Sequence, residues 1–408
     1  MLHRPPSPTS TPTSTVAPRP LAAPGRRLLR PCLLLAAAGL LAGCAATRES
    51  AAYYWQSVRG HLQLMQAAQP IDDWVAREGT PEPLRERLRL AQQARQFAIT
   101  TLGLPDNASY RRYADLGRRA AVFNVVAAGP YSLTLHTWCF PVTGCIGYRG
   151  YFSESDAQAE SARLAADGLE VAVYGVPAYS TLGYTNWLGG DPLLNTFIAW
   201  PEGEFVRLLF HELAHQVVYA QGDTLFNESF ATAVERLGVQ RWLAERSTPK
   251  ARADFAASEA RRAEFRALTR QTRERLRGIY GQDGLPVQGQ TQGQAQEHMQ
   301  MQTPQTLAAM KSQAMQQFRA DYAVLRERWL AAQATPQQLA GLDRWVREAN
   351  NASFAAQAAY DDLVPAFIAL FEREGRDWPR FYKAVRTLSE QPQPARHEAL
   401  RSLGPAAP

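Results

Sequence analysis

Apolar residues recur at three- and four-residue steps along most of the chain and at two-residue steps along little of it. Tyr54, Val58, Leu62 and Met65, then Leu84, Leu88 and Ala91, fall on helical faces with Arg and Glu between them. Four shorter runs follow, 121–127, 131–138, 147–152 and 171–175, rich in Val, Tyr and Phe and parted by Gly and Pro; they predict strands. Residues 206–219 are apolar enough for a buried helix, with Gly222-Asp223 as its stop, and 227–243 predict a second helix. Beyond Leu243 the pattern is helical. The charged stretch 252–277 reads as a solvated face, and 306–330 and 336–371 as amphipathic helices. The expected class is α+β: mainly helical, with a small β-sheet ahead of the helix at 206–219.

Two stretches carry no hydrophobic period. Residues 1–20 are Pro-, Ser- and Thr-rich, and 281–306 are Gln- and Gly-rich, so a disordered extension and a disordered insertion are expected. Arg26, Arg27 and Arg30 precede an apolar run at 33–41 that closes in Leu41-Ala42-Gly43-Cys44. A basic start, a short apolar run and small residues make a secretory signal, too short to span a membrane. The L-A-G-C ending resembles the bacterial lipobox, where cleavage precedes a cysteine that is then acylated. The expected organisation is a signal peptide over 1–43 and a folded domain over 44–408, with Cys44 lipidated. That places the domain on the bacterial cell envelope, facing the periplasm, and Ala45 after the cysteine points to the outer membrane.

Cleavage changes the charge. The formal net charge is +6, but Arg4, Arg19, Arg26, Arg27 and Arg30 all lie in the leader, which holds no acid. The remainder is almost balanced, so nothing calls for a nucleic-acid partner. Of the four cysteines, Cys32 leaves with the signal and Cys44 takes the lipid. Cys139 and Cys145 remain, an even pair in an oxidising compartment with Pro141 and Gly144 between them, and a disulfide is expected.

The chemistry concentrates in His211-Glu212-Leu213-Ala214-His215. Residues four apart stack on one helix face, so two imidazoles can meet one zinc ion, with Glu212 placed to act on a metal-bound water. A catalytic zinc site takes a third protein ligand. Glu228, opening the next helix in Asn227-Glu228-Ser229-Phe230, is placed to supply it. Glu235, two turns on, is placed to orient a histidine from behind. The converse assignment, with Glu235 ligating and Glu228 favouring the helix N-terminus, is also consistent with the spacing.

This set of residues resembles the gluzincin metallopeptidases, and the run 226–235 (FNESFATAVE) is similar to the aminopeptidase-N type. A closer likeness, carried also by 138–152, 191–197 and 350–367, is to a bacterial family of envelope lipoproteins named as aminopeptidases. The resemblance implies a zincin-like fold and a Zn²⁺ cofactor. It makes His211, His215 and Glu228 the ligands and Glu212 the general base, with Glu235 and Asn227 supporting the ligands. It also implies an oxyanion donor from a later helix, for which Tyr360 is the candidate. The segment 173–184 is expected along the substrate cleft. The spacer from His215 to Glu228 is shorter than in aminopeptidase-N enzymes, and their G-x-M-x-N motif has no match. Two functions follow. One is zinc-dependent peptide hydrolysis at the envelope; the other is an envelope assembly or chaperone lipoprotein that keeps a metallopeptidase fold without catalysis.

Overall fold

The computed structural model describes residues 53–140, 144–181, 189–281, 303–358 and 362–404. Residues 53–55 belong to the short unit Met1–Trp55, and everything from Gln56 onward belongs to the other. A helix runs over residues 56–67, and the remaining elements follow in chain order. They are β1 (Gln69–Pro70), α1 (Ile71–Ala76), α2 (Glu82–Thr100), β2 (Arg112–Ala114), β3 (Val122–Ala128), β4 (Trp138–Phe140), β5 (Gly144–Ile146) and β6 (Arg149–Tyr151). Then come α3 (Glu154–Ala166), β7 (Glu170–Val176), β8 (Leu193–Leu194), α4 (Asn195–Ile198), α5 (Glu202–Ala214), α6 (Thr224–Arg246) and α7 (Pro249–Tyr280). The last are α8 (Pro304–Ala331), α9 (Pro336–Glu348), α10 (Asn351–Ala358), α11 (Val364–Arg373), α12 (Trp378–Ser389) and α13 (Gln393–Arg401). Three of the long helices start alike, at Thr248-Pro249, Thr303-Pro304 and Thr335-Pro336. In each the threonine side chain accepts from a backbone N–H of the first turn, while proline fills a place that needs no donor.

The main sheet is antiparallel in the order β6-β3-β7. Its centre, β3, is buried on both faces from Asn124 to Ala128, with α3 and α10 packed against it. Strand β7 is an edge, and near its beginning Asn350, just before α10, donates Nδ2 to Val171 O at 2.8 Å. Val176 O faces β3, accepting from Ala121 N at 2.8 Å. The two-residue period of a strand therefore turns the backbone groups of Val173 and Gly175 outward, away from β3. Cys139 and Cys145 sit opposite one another in the β4–β5 pair and are joined by a disulfide, as expected. Gly144 has φ +74°, and a Cβ there would stand 2.9 Å from Gly222 N, so a side chain would push this hairpin off the turn that leads into α6.

Two apolar cores flank the site. The larger joins α2, α5, α6, α11 and α12 through Phe97, Phe210, Phe230, Phe367 and Phe381, all of them buried. The second joins α7, α8 and α9 through Phe265, Phe318, Trp329 and Val346, with Phe354 of α10.

Several boundaries differ from the sequence pattern. The expected strand 131–138 is a loop touching β3 through one bridge, Ala128 to Leu135, with regular pairing only from Trp138. The Gly129-Pro130 turn, closed by Ser132 N to Gly129 O, sends Tyr131 and Leu133 to the second core instead. Helix α3 was not foreseen; Ser153 caps it by accepting from Asp156 N. The region 336–371 is three helices. It breaks at Ala349-Asn350, where Asn351 Nδ2 reaches back to Gly129 O and Pro130 O. The presumed insertion is flanked more tightly than 281–306, since Gly281 caps α7 and Thr303 caps α8; residues 282–302 lie outside the described residues.

Candidate metal centre

Helix α5 buries Phe205, Val206, Leu209, Phe210 and Leu213 in the larger core, and this burial sets its rotation. Glu202 and Glu204 stand in its first turn, where carboxylates suit the helix dipole. The helix ends at Ala214, earlier than the expected stop at Gly222-Asp223. His215 is its capping residue with helical backbone angles, and His215 N still bonds His211 O at 3.3 Å. The four-residue stack therefore survives at the very end of the helix. The rings of His211 and His215 lie 4.8 Å apart, edge to face, with their Nε2 atoms 3.1 Å from each other.

Helix α6 brings the acids. Asp223 caps it by accepting from Phe226 N and is itself clamped by His397 Nε2 at 2.8 Å and Arg396 Nη1 at 3.3 Å, which ties α13 to this helix start. Asn227 is buried and engages both backbone groups of Ala220: Oδ1 accepts from N at 2.7 Å and Nδ2 donates to O at 2.8 Å. Its amide thus fastens the loop between α5 and α6 rather than touching a histidine, which differs from the ligand-supporting place expected for it. Glu228 Oε2 lies 3.2 Å from His211 Nε2 and 3.6 Å from His215 Nε2. Glu235 Oε2 takes the other nitrogen, His211 Nδ1, at 2.9 Å. His211, His215 and Glu228 are all buried and converge so that they could hold a metal ion.

Charges at this point depend on one another. Burial opposes the imidazolium of His211, but Glu228 and Glu235 outweigh it and raise the pKa well above the ordinary value. Burial likewise opposes ionisation of Glu228, yet His215 and His211 hold it well below the usual carboxylate range. For Glu235 the opposing pull of Arg207 and His211 also wins, and its pKa is lowered. Glu212 goes the other way. Burial raises its pKa, with Glu228 and Asp191 adding to the rise against the two histidines.

A family model described as "Putative aminopeptidase" matches residues 52–400. The chain belongs to that family. No curated protein and no solved structure matches it. The family description suggests a peptidase, acting on peptide substrates.

A cavity of about 430 Å³ opens beside the donor cluster, bounded by His211, Glu212 and Glu235 on one side and by Phe265 and Leu342 of the second core on the other. Residues 174–177, at the outer end of β7, line it as well, so this part of the expected cleft segment does border the site; 182–188 lie outside the described residues. Tyr148, between β5 and β6, is half-buried, and burial raises its pKa, with the charges of Glu228 and Glu212 adding to the rise. Tyr110 is buried in a left-handed conformation at φ +61°, in the field of Glu212 and Asp191, and its hydroxyl meets no partner among the described residues. Neither tyrosine stands out in the sequence: Tyr148 falls in an expected strand, where an aromatic reads as core, and Tyr110 lies in no expected element. Arg207 reads in the sequence as part of an apolar helix flank, and the Asp223–His397 clamp spans too much chain to be visible. Tyr360 and Cys44, the other expected site residues, lie outside the described residues. No described helix is long and apolar enough to cross a membrane.

Proposed function

We propose that this protein is a zinc-dependent peptide hydrolase of the aminopeptidase type, with His211, His215 and Glu228 as the metal ligands and Glu212 as general base. The observation that carries the proposal is the donor triangle, with edges of 3.1, 3.2 and 3.6 Å. A tetrahedral ion with bonds of about 2.0–2.1 Å sets its donors roughly 3.3 Å apart, and two imidazole nitrogens with one carboxylate are a usual catalytic zinc set. The proton of His211 Nδ1 goes to Glu235, which leaves Nε2 free to ligate.

A zinc ion held there would make a coordinated water acidic and polarise a peptide carbonyl. The residues of the chain do the rest. Glu212, buried and with a raised pKa, takes a proton from the attacking water and delivers it to the leaving amine. The outward backbone groups of Val173 and Gly175 suit an extended peptide added beside β7, bound through its main chain. The lipobox-like ending at Cys44 supports a lipid-anchored protein facing the periplasm.

The test is metal content followed by turnover. Mature protein lacking Cys44 should carry one zinc per chain, and Glu228→Ala should carry little. The parent should cleave peptides with free N-termini faster than blocked ones. Glu212→Gln should keep the metal and lose at least about a hundredfold in kcat. A zinc-bearing Glu212→Gln protein that still complements a deletion strain would instead favour the non-catalytic binding lipoprotein.

A further inference from the structure

Arginine is unusually dense at the cavity beside the donor cluster. Arg207 of α5, Arg236 of α6, and Arg262 and Arg266 of α7 all line it. Arg262 Nη1 is 2.6 Å from Glu204, and Arg266 Nη2 is 2.6 Å from Glu259. Those two carboxylates hold the guanidinium groups in position but are not among the described residues lining the cavity.

Arg207 is held differently. The carboxylates of Glu204, Glu235 and Glu259 surround it at 3.5, 3.7 and 3.9 Å, within reach of its charge but loose for hydrogen bonds. Its Nε is buried and without a hydrogen-bond partner among the described residues. A guanidinium is a planar fork of five donors, and leaving it unbonded in a half-buried place costs free energy. Leu208 and Phe265 beside it keep the local dielectric low, so an ion pair formed there is weakly screened.

We propose that this cavity seats a carboxylate of the substrate, with Arg207 as its forked partner and with Arg262 and Arg266, each paired with Glu204 or Glu259, beside it. A carboxylate accepts two parallel N–H bonds from one guanidinium, here from the Nη groups of Arg207, whose carboxylate neighbours stand at 3.5, 3.7 and 3.9 Å. The inference rests on the peptide-hydrolase reading of the same site, and it makes the preferred substrates acidic. Two sources share the chemistry, an Asp or Glu side chain and the C-terminal carboxylate of a short peptide.

The experiment is isothermal titration calorimetry on zinc-loaded Glu212→Gln protein, which binds without turnover. The ligands are pentapeptides in which Glu replaces Gln at one position at a time, each made with a free and with an amidated C-terminus. One carboxylate should improve affinity about tenfold over its neutral counterpart. A gain on Gln→Glu identifies the side chain as its source, and a loss on amidation identifies the C-terminus. In the same background Arg262→Gln/Arg266→Gln should reduce that ratio to about threefold or less. The peptide comparison on the unaltered pocket stands even if that variant folds poorly. Equal binding of charged and neutral peptides, or no binding of any, overturns the carboxylate pocket. If the wild-type protein cleaves all the peptides at equal rates, the pocket fails and the peptidase reading stands. If charge-selective binding occurs and the wild type cleaves nothing, the peptidase reading fails and the pocket stands.

Discussion

Glu235→Ala is the most telling perturbation of the metal centre, because it leaves all three proposed ligands in place. Glu235 Oε2 sits 2.9 Å from His211 Nδ1, while Nε2 of the same ring faces Glu228 and His215. The carboxylate therefore specifies both ring orientation and tautomer. Without it the proton can sit on Nε2, where it blocks ligation. A hydrogen bond to a charged partner contributes about 1.5–3 kcal/mol. That corresponds to roughly 10- to 150-fold in metal affinity, overlapping the loss of about 10- to 100-fold typical for such supporting residues. The variant also removes one of the three carboxylates around Arg207, so circular dichroism should accompany the measurement to confirm the fold. Zinc affinity is read by competition with a chromogenic chelator at pH 7, with Glu228→Ala as the reference for a lost ligand. An affinity within twofold of the parent would mean that packing alone orients His211, and the argument from Glu235 would be wrong.

Zinc uptake near pH 7 should release a proton, since the neighbouring carboxylates raise the pKa of His211 and the ring must be neutral to ligate. Titrations in two buffers of different ionisation enthalpy count it, and a count of zero would refute the raised pKa. The signs for metal-free stability follow from the same shifts. The contribution of His211 is complete below its ordinary pKa of 6.5 and is lost as pH rises through its raised value. That of Glu228 is present above its ordinary 4.5 and is lost as pH falls toward its lowered one. The metal-free protein should therefore be most stable in the mildly acidic range, which urea unfolding across pH 4–9 would show. Asn227→Ala leaves the buried N–H and C=O of Ala220 without partners and should cost about 2–3 kcal/mol in urea unfolding. A change below about 0.5 kcal/mol would mean that water replaces the amide.

Local physics made half of the site legible. The His211–His215 spacing places both rings on one face because helical geometry is set by the backbone, and it holds here even though the helix ends at Ala214. The Cys139–Cys145 bridge needed only a short turn between two cysteines. Apolar periodicity found most of the long helices for the same reason. It failed at 131–138, where Tyr131 and Leu133 have strand propensity but pack on a helical core far away in the chain.

The roles of Glu228 and Glu235 were open in the sequence for a geometric reason. Seven residues of helix separate them by about 10 Å along its axis, and nothing in that spacing says which faces the histidines. The packing of α5 on α6 decides it, setting the His211 ring between them so that Nε2 meets Glu228 and Nδ1 meets Glu235. Arg207 shows the same limit. It lies one turn before His211 and looks like helix decoration until α7 closes over it, bringing Glu259, Arg262 and Arg266. What the sequence determined alone was which residues share a helix face, because that depends on bonds within one segment. Which acid faces the two Nε2 atoms, which loop Asn227 fastens and which side chains line the cavity depended on contacts between segments, and those exist only once the two cores have packed.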